Sequence, residues 1–139
     1  MSYEFIENDL ERCIHPEYAQ LVTVAPLWQE KLLLILRQSE PFINMYSIPG
    51  GHKENETYEE AAKRELNEEV GIENAKLAPF VIFIDHEHKL ECHGFKYLSE
   101  DGLFVEPVNE EQQIVGWKTI DEALALPLTP GLHESLQRL

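Results

Sequence analysis

The sequence is poor in cysteine and in basic residues, and it has no long hydrophobic run. Two cysteines, Cys13 and Cys92, are too few for a disulfide framework, and no basic–acidic setting around Cys13 would activate a thiolate; both are read as structural. Apolar runs such as Leu32 to Leu36 stop far short of a bilayer-crossing length. The opening stretch, Met1-Ser-Tyr-Glu-Phe-Ile-Glu, lacks both a basic start and an apolar segment, so no secretory leader is expected and the default compartment is the cytoplasm. Repeats and low-complexity tracts are missing too. Lysine and arginine number 11 against 26 acidic residues, a net charge of −15. A surface of that sign repels a polyanion and disfavours direct nucleic-acid binding.

What remains is globular usage: 139 residues, 43% hydrophobic and 27% charged, enough for one ordinary core. The acid is unevenly placed. Residues 50–72 hold seven acids and three bases, and residues 100–122 hold seven acids and one base, so these two stretches carry −10 of the −15. Such runs are either solvated surface or two halves of one cation site. The spacing inside them decides between these readings.

Residues 1–20 read as a short helix or an irregular arm. Strands are expected at Leu21–Ala25, Leu32–Arg37, Phe80–Ile84, Cys92–Leu98 and Ile114–Lys118. Trp28 to Lys31 reads as a turn, and 38–46 as a loop. Ser47-Ile-Pro-Gly-Gly51 reads as a tight turn whose glycines permit positive φ or close backbone approach. The best-signalled element follows. Thr57 and Glu60 form a capping box, Ala61 to Val70 are good helix formers, and Gly71 stands at the C′ position. Thr119 and Glu122 repeat the capping pattern before a short helix to Leu126. A last helix covers Leu132–Leu139, after Pro127 and Pro130. Helices and strands are mixed without βαβ alternation, so an α/β or α+β sandwich is expected rather than a doubly wound fold.

On the helix after Thr57, Glu65, Glu68 and Glu69 fall within an arc of about 100°, because i, i+3 and i+4 share a face. Ala62, Leu66 and Val70 form the adjoining apolar stripe, so the carboxylates lie beside the buried edge. A divalent cation would relieve their mutual repulsion, and all-oxygen ligands favour Mg²⁺, or Mn²⁺ in its place, over zinc.

The wider pattern is Gly50, five residues, Glu56, seven residues, then Arg64-Glu65-Leu66-Asn67-Glu68-Glu69-Val70-Gly71-Ile72. This resembles the Nudix box at every fixed position, and residues 21–139 resemble one Nudix domain. One departure is local. The spacing selects Gly50, the first of the glycine pair, Asn55 stands where glycine is common, and the loop is one residue short. The resemblance implies an α/β/α sandwich and Mg²⁺-dependent hydrolysis of a nucleoside diphosphate linked to another group. It implies Glu65, Glu68, Glu69 and the Gly50 carbonyl as metal ligands. Glu65, Glu68 and Arg64 would form the catalytic set, with Arg64 orienting the carboxylates and Glu56 supporting them. A late loop glutamate, Glu111 in preference to Glu110, would join the metal site. Arg37, Gly51, His52 and Lys53 would contact substrate phosphates. Phe42, Tyr46, Phe80 and Phe83 are candidates for stacking on a base.

The substrate is less marked. ADP-ribose hydrolases of the family often carry a proline where Glu87 stands, and dinucleoside polyphosphate hydrolases a tyrosine where His88 stands. Neither mark is present, and the length favours nucleoside triphosphates, split to the monophosphate and pyrophosphate. ADP-ribose, another nucleotide sugar, or non-catalytic nucleotide sensing are the alternatives. His86, His88, Cys92 and His93 fit no closed zinc spacing.

Overall fold

The computed structural model describes residues 3–105 and 112–139. Eight strands form one mixed sheet: β1 (Tyr3–Ile6), β2 (Ala19–Trp28), β3 (Lys31–Arg37), β4 (Tyr46–Ser47), β5 (Gly50–His52), β6 (Leu77–Asp85), β7 (Leu90–Leu98) and β8 (Gln112–Thr119). Helix α1 (Tyr58–Val70) follows β5, and α2 (Ile120–Leu124) and α3 (Leu132–Leu136) follow β8. The main path of the sheet is β1-β6-β7-β2-β3-β4, with β5 pairing β2 and β8 pairing β3. All these pairings are antiparallel except that of β2 with β7, which runs parallel from Ala19↔Leu90 to Leu27↔Leu98.

Alternation along the strands divides the core into two layers. Val22, Val24, Leu33, Ile35, Phe95 and Ile114 pack with Ala61, Ala62, Leu66 and Val70 of α1. Ala25, Leu32, Leu34 and Phe80 face the other way and pack with Ala123 of α2 and Leu132 and Leu136 of α3. The run Leu32-Leu33-Leu34-Ile35 is therefore buried on both faces, which explains its lack of polar alternation. The α/β/α sandwich implied by the resemblance, with a mixed sheet between its helices, is what the chain builds.

Two expectations are revised. Residues 1–20 are not helical where described. Tyr3–Ile6 adds an edge strand to β6 in the register Tyr3↔Asp85, and an irregular stretch leads on to β2. The glycine pair is not a positive-φ turn either. Gly50 and Gly51 lie in β5, paired with Thr23 and Val22, and neither is among the left-handed residues. The Trp28–Lys31 turn is present, with Gln29 and Glu30 both at positive φ (50° and 63°), as a two-residue hairpin requires.

Candidate active site

Helix α1 is placed by its ends. The Thr57 hydroxyl accepts from Glu60 N at 3.1 Å, and Glu60 Oε1 accepts from Thr57 N at 3.0 Å, the reciprocal pair read from the sequence. At the other end Gly71 takes the left-handed conformation (φ 67°) and returns its N–H to Asn67 O. A helix so delimited, with Leu66 and Val70 fully buried, has its rotation fixed.

That rotation sets the burial of the carboxylates. Glu69 is only 5% exposed, and its Oε2 accepts from Gly50 N at 2.6 Å. The Glu65 side chain is 13% exposed, whereas that of Glu68 is 56% exposed. The glycine pair lets the loop come this close. A methylene on Gly51 would lie 2.5 Å from Glu65 Oε1, and one on Gly50 would strike the Val22 carbonyl. Close approach, not turn conformation, is why both residues lack a side chain.

Arg64 organises the cluster. Its Nη2 donates to Glu56 Oε1 at 2.7 Å and to the His52 carbonyl at 3.1 Å, and its Nε reaches Glu56 Oε2 at 3.3 Å. Its Nη1 donates to Glu65 Oε1 at 2.9 Å and lies 3.5 Å from Glu68 Oε2. Only a planar fork of donors serves so many oxygens at once. The bonds from Arg64, and then the Glu54 N–H, hold the Glu56 carboxyl below the usual range. Burial pushes Glu65 up, against the opposing pull of Arg64. The guanidinium is itself driven further toward the charged form by its Glu56 hydrogen bonds.

Three carboxylates, those of Glu56, Glu65 and Glu68, thus face one guanidinium. With Glu69 held beside them on Gly50 N, the cluster carries more carboxylates than cationic side chains, and Glu65 and Glu69 are largely buried. All-oxygen donors with that excess suit a hard divalent cation. The donor set therefore fits Mg²⁺ or Mn²⁺, with Glu65, Glu68, Glu69 and the glycine pair as the residues able to hold it.

The other expected site residues are less tightly gathered. His52 offers its carbonyl to Arg64, while Lys53 Nζ lies over the Tyr58 ring at 5.3 Å and reaches the Glu54 carbonyl at 3.3 Å. Arg37 ends β3 and donates from Nε to the Pro41 carbonyl at 2.8 Å. Glu110 and Glu111 lie outside the described residues. On the α3 face of the sheet a cavity is lined by Thr23, Ser47, Ile48, Phe80, Thr129 and Ser135, among others; Ser47 and Ile48 lead through Pro49 into Gly50. Composition and spacing single out neither this cavity nor its hydroxyls, because its lining comes from five separate segments. Phe80 and Phe83 line it, whereas Phe42 is exposed in the 38–45 loop and Tyr46 packs against the α2–α3 layer.

The histidine–cysteine stretch divides three ways. His88 pairs with Asp85 at 2.8 Å, Cys92 Sγ lies 3.7 Å from Thr23 Oγ1, and buried His93 donates to Glu91 at 2.6 Å and stacks on Tyr58. Burial pushes the Cys92 thiol up to about 11, so it stays protonated and inert at neutral pH.

A glutamate-rich helix packed against a glycine pair, with one arginine spanning three carboxylates, is a partly desolvated acidic cluster rather than a solvated helix face. A family model, the NUDIX domain, matches residues 18–139, and the chain belongs to that family. Its fold resembles the NUDIX domain of Shewanella oneidensis NrtR complexed with ADP ribose (TM-score 0.73, 18% identity, 88% of each chain covered). It also resembles MutT, in a structural study of the Aliivibrio salmonicida and Vibrio cholerae proteins (TM-score 0.70, 22% identity, 85% of this chain and 95% of that one). An ADP-ribose pyrophosphatase from Methanocaldococcus jannaschii is 49% identical over 43 residues, which cover 30% of this chain and 25% of that protein's length. No described helix is long and apolar enough to cross a membrane.

Proposed function

We propose that the chain is a Mg²⁺-dependent pyrophosphohydrolase that cleaves the phosphoanhydride of a nucleoside diphosphate linked to another group, with a nucleoside triphosphate as the first substrate to test. The observation that carries this reading is the Arg64 fan, which holds Glu56, Glu65 and Glu68 around the glycine pair while Gly50 holds Glu69. When bound, a divalent cation supplies charge neutralisation on the transferring phosphoryl group and lowers the pKa of the attacking water.

The chain's own residues do the rest. Glu65, Glu68 and Glu69 hold the cation, together with the Gly50 carbonyl and Glu111. Arg64 and Glu56 fix the carboxylate rotamers, so little reorganisation is needed at the moment of reaction. One of these carboxylates also accepts the proton of the attacking water. Arg37, Gly51, His52 and Lys53 position the phosphates, and the cavity behind Ile48 takes the nucleoside, with Phe80 beside it and the Thr23, Ser47, Thr129 and Ser135 hydroxyls as polar contacts.

ADP-ribose is the second reading, favoured by the ADP-ribose-bound NrtR domain and by the short match to an ADP-ribose pyrophosphatase. A substrate panel with Mg²⁺ decides between them. Pyrophosphate released from a triphosphate supports the first reading. AMP and ribose phosphate from ADP-ribose support the second. Binding without turnover across the panel overturns hydrolysis and indicates a sensor.

A further inference from the structure

Among the described residues, one group of three histidine, cysteine or carboxylate side chains presents ligand atoms that all lie within 4.8 Å of one another, and it is not in the box: Glu4, His15 and His86. The three come from distant parts of the chain. Glu4 is on edge strand β1, His86 begins the β6–β7 turn, and His15 is in the irregular stretch before β2. We propose that Glu4, His15 and His86 form a transition-metal site, taking Zn²⁺ in preference to Mg²⁺, that fastens the N-terminal segment to the β6–β7 turn.

The donor chemistry selects the ion. Two imidazoles and one carboxylate suit zinc and its borderline neighbours, whereas Mg²⁺ prefers oxygen throughout. Glu4 Oε1 and His86 Nε2 are 2.9 Å apart. Two ligands about 2.1 Å from a tetrahedral ion sit about 3.4 Å apart, so the pair opens by a fraction of an ångström to admit one. Both side chains are partly exposed and free to make that adjustment (49% for Glu4, 34% for His86).

The surroundings hold the ligands in place. Tyr18 Oη lies 3.1 Å from His86 Nδ1. A hydroxyl can donate or accept, so Nδ1 can carry the proton when Nε2 ligates a metal, the usual outer partner of a metal-binding histidine. The His15 ring stacks on Tyr18 with centroids 4.5 Å apart, and its backbone N–H donates to buried Glu91 at 2.6 Å. The His15 and His86 rings meet edge to face at 5.3 Å. Glu17 Oε1, 3.3 Å from His15 Nδ1, adds a carboxylate at the rim, which brings the charge near that of a divalent cation. His88 is excluded, being tied to Asp85 through both its ring and its backbone.

The test titrates Zn²⁺ into metal-stripped full chain at millimolar Mg²⁺, which keeps the box carboxylates occupied. Histidine-ring NMR and competition with a chromophoric chelator are the readouts. The expected result is that the His15 and His86 ring signals shift while that of His88 does not. H15A and H86A should each weaken zinc at least about tenfold, and Y18F by about tenfold, the scale of losing an outer partner. H88A and E65Q should retain native affinity. E4Q, a change at an exposed carboxylate, gives the same reading should a histidine variant fail to fold. Zinc that leaves the His15 and His86 signals unmoved, or binds H86A and E4Q as tightly as the native chain, overturns the site; so does affinity that falls with E65Q instead.

Discussion

At the scale of single residues the box is an electrostatic problem centred on Glu65 and Arg64. Glu65 is nearly buried, packed on Gly51, and paired with an arginine that also serves Glu56 and the His52 carbonyl. Glu65→Gln keeps the shape and removes the charge. Turnover should fall by about 10²-fold or more, the scale for removing one preorganised electrostatic group. Folding should be maintained, with a thermal midpoint equal to or above native, because a buried like-charged carboxylate is gone. Arg64→Lys tests positioning rather than charge. An ammonium cannot span Glu56, Glu65 and the His52 carbonyl together, so kcat/KM should drop about 10- to 100-fold with the fold intact by circular dichroism. Chelation by EDTA should abolish turnover in the native chain, and added Mg²⁺ should restore it.

At the scale of elements, the capped helix and the glycine strand are matched parts, and the two glycines separate stability from activity. An added methyl at Gly50 meets the Val22 carbonyl, which is backbone and cannot yield. Gly50→Ala should therefore cost stability, about 1–3 kcal/mol, read as a lower urea midpoint. At Gly51 the added methyl meets the end of the Glu65 side chain, which can swing aside. Gly51→Ala should leave the midpoint within about 0.5 kcal/mol of native yet reduce kcat, because it displaces a carboxylate that the proposed reaction uses. Equal effects of the two changes on both readouts would refute this division. The capping box, the C′ glycine and the apolar stripe of α1 were all legible beforehand, since each depends on residues within a few positions of one another. The strand character of Gly50 and Gly51 was not, because it depends on β2.

At the scale of the whole molecule, the N-terminal segment is held by a buried polar pin. Glu91 is fully buried; burial works against its charge, but the Ile14 and His15 N–H groups and the His93 ring outweigh this and keep its carboxyl below the usual range. Burial likewise holds His93 below its ordinary value, despite Glu91. Both depressions act in the same sense. His93 is neutral when folded and gains a proton on unfolding once the pH drops below about 6.5, and Glu91 does the same below its unfolded value near 4.5. Stability should thus be full above neutrality, decline from about pH 6.5, and decline again below about 4.5. Urea midpoints across that range measure it. Glu91→Gln should cost about 2–3 kcal/mol at pH 7 through the weakened charged hydrogen bonds, and should remove the lower limb of the profile. A profile identical to native would show that the pin is not the source.

The amino-acid sequence by itself determined the box helix with both its caps, the face that carries Glu65, Glu68 and Glu69, the doubly buried Leu32–Ile35 strand, and the acid excess that calls for a cation. These follow from periodicity, capping and charge, which act between near neighbours along the chain. Only the tertiary structure decided that Tyr3–Ile6 completes the sheet beside β6, that β2 and β7 run parallel, and that the glycine pair is bare because Val22 and Glu65 crowd it. The same holds for the fan of Arg64 over Glu56 and the His52 carbonyl, and for the meeting of Glu4, His15 and His86. Each of these depends on strand register, which is set by packing of the two apolar layers around α1 and α3, and no spacing within a short stretch of chain encodes it.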